Sequence, residues 1–332
     1  MINNSYLIIF IIINLFFLFK FDLYSKFFTI VDKPNAERKT HKKDTKVLGG
    51  TIIITNLVFY TLYFFIFNKD YLIEVFDGQN NILAFLFGSV SMYVLGLLDD
   101  KYDLPASNKL LFTVIIISIS LFLNKSLVRD INLSFFNDKI SLGQFSFFFT
   151  LFAYVIFINA FNMLDGVNLQ VGLYSCFILI ALILLGMNLH LALIIMLSVL
   201  VYLKLNYQNK IFLGDNGTLL LSFMFSFLLI DLYNQQKIIY SDSILLILII
   251  PGLEIIRLSF ERVKANKSIL NADRNHIHHI IFFKKNDYLS IILIQAILIM
   301  PFLFSAIYNN NIIIILCTIV LYFLLIILFK NK

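Results

Sequence analysis

The sequence predicts an all-α integral membrane protein, a polytopic bundle of about eleven transmembrane helices, and two observations support this fold class. Hydrophobic residues make up 60% of the 332-residue chain, whereas charged residues make up only 14%. Water-soluble domains contain about a quarter charged residues, so this composition excludes a soluble globular protein. A membrane core about 30 Å thick needs roughly 20 apolar residues for each helix, so the length holds about ten spans and no large soluble domain.

Apolar runs between polar breaks predict eleven spans in order along the chain. The first is expected to be retained rather than cleaved as a signal peptide, because it lacks a basic segment before it and a small-residue cleavage site after it. The fourth is short, and the break at Asn188 is so narrow that ten spans are an alternative. The predicted spans are residues 6–21, 48–67, 82–98, 110–123, 145–164, 171–187, 189–205, 218–233, 243–260, 288–307 and 312–329.

The distribution of basic residues along these spans predicts the orientation of the chain. If the loop after the first span is cytoplasmic, 21 of the 26 lysine and arginine residues lie inside and five lie outside. Basic residues mark the cytoplasmic side of membrane proteins. The N-terminus is therefore predicted outside and the C-terminus in the cytoplasm. The net charge of +6 follows from this topology and does not indicate nucleic-acid binding.

The same orientation places the loops richest in acid, amide, glycine and histidine on the cytoplasmic side. A channel or carrier should instead hold polar groups near the middle of the membrane. The outer segment 124–144 alternates polar and apolar residues and predicts a small hairpin. We expect a single domain, residues 1–332, with site loops at residues 32–50, 99–109, 159–172, 212–218 and 261–279.

Two of these loops carry acids where a divalent cation would bind. Asp99 and Asp100 are adjacent at the end of the third span, and because neighbouring carboxylates repel, the pair favours a bound cation or general-base chemistry. Asp215 lies between two glycines ahead of an apolar helix, where free backbone N–H groups suit Mg²⁺ beside a phosphate. Lys109 follows the acid pair and supplies a charge that suits a phosphate, with an anchor at the membrane interface as the alternative. The alternatives for the acids are an ordinary acidic helix end at Asp99 and Asp100 and a turn with N-capping at residues 214–217.

Amide and carboxylate side chains recur every three residues at the end of the fifth span. Asn159, Asn162 and Asp165 are therefore predicted to share one helix face and to present their oxygens together, as hard-cation and nucleotide sites require. The alternative is that these amides only bond to other helices.

The segment 272–279 is the richest in charged and imidazole side chains. Its histidines and Arg274 favour an anion site in basic surroundings. A zinc site and a solvated basic loop are the alternatives, although no cysteine or acidic ligand set is evident nearby. The histidines are His276, His278 and His279.

Together these segments resemble the polyprenyl-phosphate N-acetylhexosaminyl-1-phosphate transferases of glycosyltransferase family 4. They follow the family order over residues 31–279. The ending Ala-Asp-Arg-x-His-x-His-His resembles the branch that transfers N-acetylglucosamine 1-phosphate more than the peptidoglycan branch. The matching segments are residues 31–38 with His41 and 49–50, Asp99 and Asp100 with Asp103, 159–168, 212–218 and 272–279.

The resemblance implies a multi-pass enzyme of the bacterial inner membrane. It would move N-acetylglucosamine 1-phosphate, or a related N-acetylhexosamine 1-phosphate, from a UDP-sugar to undecaprenyl phosphate. This step releases UMP and starts cell-envelope polysaccharide synthesis. The implied cofactor is Mg²⁺, with Mn²⁺ as an alternative, and a homodimer is left open. Two other functions remain as alternatives, the phospho-muramoyl-pentapeptide translocase of peptidoglycan synthesis and a non-catalytic transporter of a lipid phosphate.

The resemblance also implies roles for individual residues. Asn162 and Asp215 would hold the metal, and Asp99 and Asp100 would be catalytic, near the reacting phosphates. The implied substrate-binding residues are Lys109, Asp165, Asn168, Arg274, His276, His278, His279, Asp103 and His41. Direct displacement by the lipid phosphate is favoured over a covalent aspartyl intermediate, because that phosphate is already a competent nucleophile.

The chain departs from the family pattern at several positions. Glu254 stands where the family has aspartate, and Lys46 stands where proline is usual. The pair 169–170, Leu-Gln, replaces a Gly-Leu pair next to the expected nucleotide pocket. Glu254 and Arg257, three residues apart, are expected to form a structural rather than a catalytic ion pair.

Overall fold

The computed structural model describes residues 5–26, 30–32, 45–266, 268, 275–277, 280–281, 288–308 and 310–330. Within these residues the protein is predominantly α-helical. Its helices are α1 (Ser5–Phe19), α2 (Phe21–Tyr24), α3 (Gly49–Phe67), α4 (Lys69–Phe76), α5 (Gln79–Tyr102), α6 (Ala106–Asn124), α7 (Ser146–Met163), α8 (Gln170–Leu184), α9 (Leu189–Tyr207), α10 (Gly214–Asn234), α11 (Ser241–Lys264), α12 (Tyr288–Tyr308) and α13 (Asn311–Lys330).

Nine of the described helices are long and apolar enough to cross a membrane, namely α3, α5, α6, α7 and α9 to α13. The prediction of an α-helical, multi-pass membrane protein is therefore confirmed. Helices α1 and α8 are apolar but shorter, and they correspond to the first and sixth predicted spans. Asn188 separates α8 from α9, because its side chain caps α9 by accepting hydrogen bonds from the backbone N–H groups of His190 (3.0 Å) and Leu191 (3.1 Å).

Several helices extend beyond the apolar runs that predicted them. Helix α5 ends at Tyr102 rather than at Leu98, and α10 begins at Gly214 rather than at Thr218. The apolar run marks the part of a helix that lipid or core surrounds, whereas the helix itself ends where its backbone groups find other partners. The acids expected in the loops 99–109 and 212–218 therefore lie on helix ends.

Helices α5 and α7 end, and α3 and α10 begin, at one end of the bundle. We call this end the acid face, because Asp99, Asp100 and Asp215 meet there. Helix α11 runs back toward the acid face from the opposite end, since only residues 235–240 join it to α10.

Helix α10 lies at the centre of the bundle. In an apolar stretch of 18 residues of this helix, 89% is buried, and the helix packs against α3, α5 and α7. A Cβ atom at Gly96 of α5 would overlap the backbone of Asp215 and Asn216. Because van der Waals contact drives helix association in lipid, small residues of this kind allow two membrane helices to pack closely.

We expect Gly96→Ala to lower the free energy of unfolding by about 1–3 kcal/mol, because the added methyl group would force α5 away from α10. Gly252→Ala in α11 is the matched control, since a Cβ atom there meets no atom within 4 Å and alanine favours a helix more than glycine does. Thermal unfolding of both variants in detergent provides the measurement. Equal melting temperatures would contradict the close packing of α5 on α10.

Three short strands form a sheet at the acid face. Strand β1 (Val31–Asp32) pairs antiparallel with β2 (Thr45–Val47), which pairs in parallel with β5 (Ile211–Phe212). Because β2 precedes α3 and β5 precedes α10, the sheet holds the N-termini of these two helices side by side. Strands of two or three residues carry no periodic pattern, so they were not predicted.

A second pair of strands lies at the opposite end of the bundle. Strands β3 (Asp130–Ile131) and β4 (Ile140–Ser141) are antiparallel and confirm the hairpin predicted within residues 124–144. The backbone N–H of Ser241, at the start of α11, donates to the carbonyl of Asn132 (2.8 Å). The hairpin is therefore attached to the end of α11 that is far from the acid face.

Candidate active site

Asp215, in the first turn of α10, is the centre of a polar cluster at the acid face. Its Oδ1 accepts a hydrogen bond from Asn162 Nδ2 of α7 (2.7 Å), and the same amide lies 2.7 Å from Thr218 Oγ1. Its Oδ2 contacts Lys109 Nζ of α6, which also lies 2.7 Å from Asp99 Oδ2 of α5. Four helices therefore bring two carboxylates, an amide and an ammonium group together. We call Asp99, Lys109, Asn162 and Asp215 the Asp215 cluster.

Asp100 has different partners from its neighbour Asp99. Its Oδ1 accepts a hydrogen bond from the backbone N–H of Asp215 (2.9 Å). Its Oδ2 accepts from the backbone N–H (3.0 Å) and the side-chain amide (2.6 Å) of Asn216. A carboxylate at a helix N-terminus binds free N–H groups and interacts favourably with the helix dipole. Asp100 therefore caps α10 from α5 and positions the backbone that carries Asp215.

Gly214 allows this close approach. Its φ of +72° lies in the left-handed region, and a Cβ atom there would overlap Val47 of β2 and lie 2.8 Å from Asp100 Oδ2. Glycine alone meets both the backbone and the steric requirement at low cost. The glycine before Asp215 is therefore needed to pack β2 and α5 against the start of α10.

Asp99 closes the turn that follows α5. Its Oδ1 accepts a hydrogen bond from the backbone N–H of Leu104 (3.0 Å), and its carbonyl accepts one from the N–H of Asp103 (2.8 Å). Asp103 has a φ of +51° and an exposed side chain. Asp103 therefore lies on the solvent side of this turn, whereas the carboxylate of Asp99 faces Lys109.

The polar residues at the end of α7 and just beyond it do not all share one helix face. Helix α7 ends at Met163, so the prediction that Asp165 lies on the same helical face as Asn162 is wrong, because the chain turns before reaching it. Asn159 Nδ2 donates to the carbonyl of Val155 in its own helix (2.7 Å). The side chain of Asn162 joins the Asp215 cluster, whereas that of Asn159 bonds within α7.

The turn after α7 is held by two further asparagines. Asn168 Nδ2 donates to Asn209 Oδ1 (2.6 Å) at the surface. The buried Asn206 side chain accepts from the N–H of Leu169 (2.7 Å) and donates to the carbonyl of Ile211 (2.8 Å). Leu169 has a φ of +70° at a position where the family resemblance leads one to expect glycine. Asn206 thus ties this turn to β5, a role that no sequence motif indicated.

The pKa of Asp165 is raised in part by the negative charge of the neighbouring acids. Its side chain is exposed, yet its pKa is raised to about 7, because surrounding protein atoms displace part of its water and because Asp215 and Asp100 are negatively charged. A cation bound at the acid face would therefore favour the ionised form of Asp165.

Within segment 272–279 the structure describes residues 275–277, which include one histidine. His276 is buried, and its Nδ1 lies 3.7 Å from Glu254 Oε1. It therefore lies against the Glu254 and Arg257 pair. Four other predicted site residues fall outside the described residues, and these are His41, Arg274, His278 and His279.

The chemistry of the Asp215 cluster fits a hard divalent cation. Mg²⁺ prefers oxygen ligands and is usually bound through one or two carboxylates together with substrate phosphates. The carboxylate of Asp215 provides such oxygens, and Asn162 carries one more on an amide whose Nδ2 faces Asp215, so a rotation of this amide would turn its oxygen toward a cation. The side chains of Lys109, Asp99 and Asp215 are 22%, 10% and 27% exposed, so the cluster is accessible to a charged ligand. Within the described residues, no group of three or more histidine, cysteine, aspartate or glutamate side chains is placed to hold a metal ion by itself.

Comparison with known proteins extends over most of the chain. Residues 82–233 match the family described as Glycosyl transferase family 4, and this range includes the whole Asp215 cluster. A probable undecaprenyl-phosphate N-acetylglucosaminyl 1-phosphate transferase of Bacillus subtilis (strain 168) is 30% identical over 284 residues, 80% of this chain and 74% of that protein.

Two further relatives are named undecaprenyl-phosphate alpha-N-acetylglucosaminyl 1-phosphate transferase. The protein of Salmonella typhi is 28% identical over 286 residues, and that of Escherichia coli (strain K12) is 27% identical over 303 residues. Each comparison covers 81% of this chain and 74% of the relative. Because the family match contains the Asp215 cluster and the Bacillus relative aligns with 80% of the chain, the protein belongs to glycosyl transferase family 4.

Proposed function

We propose that this protein transfers N-acetylglucosamine 1-phosphate, or a closely related N-acetylhexosamine 1-phosphate, from a UDP-sugar to undecaprenyl phosphate. UMP is the second product, and the lipid-linked sugar starts a cell-envelope polysaccharide. The names of the three relatives support the acceptor and the transferred group. The observation that carries the proposal is the Asp215 cluster, which combines carboxylate and amide groups of the kind that bind Mg²⁺ with an ammonium group at one end of a membrane bundle.

The proposed reaction is a direct displacement at phosphorus. An oxygen of the lipid phosphate attacks the sugar-bearing phosphorus of the donor, a new P–O bond forms, and the bond from that phosphorus to UMP breaks. Both reactants are anionic, so neutralisation of charge and alignment account for most of the catalysis. Asp215 and Asn162 would hold Mg²⁺, which when bound neutralises charge on the phosphate oxygens.

The remaining polar groups then have separate roles. Lys109 Nζ binds a phosphate oxygen of the donor, and Asp99, 2.7 Å from this ammonium group, keeps it beside the reacting phosphates. Asp100 holds the first turn of α10, and through it Asp215, in position. Asp103, Asp165, Asn168 and the 272–279 segment with His41 would contact the nucleotide and sugar.

We also propose that all eleven apolar helices cross the bacterial inner membrane, with the N-terminus outside and the C-terminus in the cytoplasm. Helices α1 and α8 would complete the nine longer spans. The acid face is then cytoplasmic, which agrees with the 21 of 26 basic residues predicted on that side. A nucleotide sugar would reach the site from the cytosol and the lipid acceptor from the bilayer.

A panel of UDP-sugars tests the proposed function. Purified protein in detergent is incubated with undecaprenyl phosphate and Mg²⁺, and UMP and lipid-linked sugar are quantified for each donor. We expect UDP-N-acetylglucosamine or a close epimer to give both products in equal amounts. Turnover of UDP-muramoyl-pentapeptide alone would favour the peptidoglycan reaction. Movement of unmodified lipid phosphate across vesicles without UMP formation would favour a transporter.

Removal of divalent cations should abolish the reaction. We expect excess EDTA to lower the rate of UMP release by at least about 10³-fold, since a bound metal contributes several kcal/mol to such a transition state. Adding excess Mg²⁺ to the same sample should restore the rate, and Mn²⁺ is the alternative ion to compare. Undiminished UMP release in EDTA would contradict the metal proposal.

A further inference from the structure

A second set of buried polar side chains lies between α11 and α13. Arg257 Nη2 donates to Glu254 Oε1 (2.7 Å), and Arg257 Nε donates to the hydroxyl of Tyr322 (2.8 Å). The same hydroxyl donates to Glu254 Oε2. Glu254, Arg257 and Tyr322 are 2%, 6% and 1% exposed. We call these three residues the Tyr322 clamp, because the tyrosine holds both charged groups of α11.

The Tyr322 clamp binds the main chain on both sides of His276. Arg257 Nη2 donates to the carbonyl of Asn275 (2.7 Å), and the backbone N–H of Ile277 donates to Glu254 Oε1 (2.8 Å). His276 itself is buried, with Nδ1 3.7 Å from Glu254 Oε1. One carboxylate and one guanidinium therefore each hold the main chain next to His276, one on either side.

Net stability is a weak explanation for this arrangement. Burying an ion pair costs desolvation energy, and well-packed apolar side chains of similar volume are often as stable or more stable. What an ion pair with directed hydrogen bonds provides is a single geometry for the groups that it binds. The groups bound here are the carbonyl of Asn275 and the N–H of Ile277, which belong to the segment 272–279 that carries Arg274 and three histidines in its sequence. The clamp lies on the half of α11 nearer the acid face, since α11 runs toward that face.

We propose that Tyr322 is a positioning residue for the UDP-sugar site. By holding Glu254 and Arg257, it fixes the path of Asn275–Ile277, the part of the donor-binding segment in which His276 packs against Glu254. The last helix of the bundle thereby contributes to donor binding without touching the donor. This inference rests on the proposed function, because it assigns the segment around His276 to the UDP-sugar.

Tyr322→Phe removes the hydroxyl group and leaves the ring in place. Initial rates are measured against UDP-N-acetylglucosamine and against undecaprenyl phosphate. We expect KM for the UDP-sugar to rise about tenfold, whereas kcat and KM for the lipid change less than twofold. Tyr308→Phe is the matched control, since it makes the same chemical change on α12 at a side chain that is 67% exposed.

Hydrogen exchange gives a second readout that does not depend on activity. The backbone amide of Ile277 should exchange faster in Tyr322→Phe than in the unchanged protein, because its acceptor Glu254 loses a partner. Glu254→Gln removes the charge of the same acceptor and should act in the same direction. Melting temperatures of both variants identify any loss of folding.

The outcomes separate this inference from the proposed function. Faster exchange at Ile277 together with a selective rise in KM for the UDP-sugar supports it. Unchanged exchange, or a fall in kcat with all KM values unchanged, overturns it. If the unchanged protein forms no UMP from any UDP-sugar, the proposed function fails and the donor-binding part of this inference fails with it. Exchange at Ile277 then decides whether the clamp positions the segment at all.

Discussion

Asp215→Asn should lower kcat for UMP release by at least about 10³-fold, the largest effect that we expect from a single substitution. Asp215 is the carboxylate on which Asn162 and Lys109 converge, and it is the proposed ligand of Mg²⁺. An amide in its place binds a hard cation weakly and leaves the Lys109 ammonium without one of its two carboxylates. A loss of about 4 kcal/mol in transition-state stabilisation corresponds to this factor.

The matched control is Asp231→Asn. Asp231 lies in the last turn of the same helix, about 24 Å from Asp215 by the helical rise of 1.5 Å per residue, and its carboxylate accepts a hydrogen bond from Gln235 (2.8 Å). This variant should keep its activity. Initial rates at saturating donor and acceptor give the comparison. Wild-type activity in Asp215→Asn would remove the Asp215 cluster from the proposed mechanism.

Asp100→Asn should lower both the stability and the activity of the protein. The asparagine would lose the charge that faces the helix N-terminus, and its amide N–H₂ would point at backbone donors. We expect the free energy of unfolding to fall by about 2 kcal/mol. We also expect kcat to fall by about 10²-fold, because displacing the first turn of α10 would misplace Asp215.

Asp99→Asn distinguishes capping from chemistry. Asp99 faces Lys109 and the N–H of Leu104, and an asparagine at this position still offers an oxygen to that N–H. Its loss of stability should therefore be smaller than that of Asp100→Asn, although its activity should also fall. Chemical unfolding in detergent and UMP release are measured for both variants. An inactive Asp100→Asn protein of undiminished stability would show that Asp100 acts in the chemistry rather than as a cap.

The candidate site was predictable in its composition but not in its contacts. Hydropathy placed Asp99, Lys109, Asn162 and Asp215 at the ends of predicted spans, and the orientation of those spans placed them on one face. The three-residue spacing predicted that Asn159, Asn162 and Asp165 share one helix face, and of these only the side chain of Asn162 joins the Asp215 cluster. It failed for Asp165, because the helix ends at Met163, and the end of a helix depends on partners outside it.

Other features gave no signal in the sequence. The strands β1, β2 and β5 are too short for a periodic pattern, and Asn206 belongs to no motif. Tyr322 is one of many aromatic residues in the apolar helices, and nothing in the sequence indicates that its hydroxyl contacts Glu254 and Arg257. Such residues are recognisable only once their partners, far away in the sequence, are known.

The sequence by itself determined that this chain is a multi-pass membrane protein, where its apolar helices lie, and which polar segments gather at their ends. These are local properties, because span length follows from membrane thickness and basic residues mark one side. Only the tertiary structure decided that the adjacent acids Asp99 and Asp100 have different partners, and that Tyr322 holds the segment containing His276. Those contacts depend on how closely α5 approaches α10 and α13 approaches α11, and packing between distant helices has no local pattern from which it could be read.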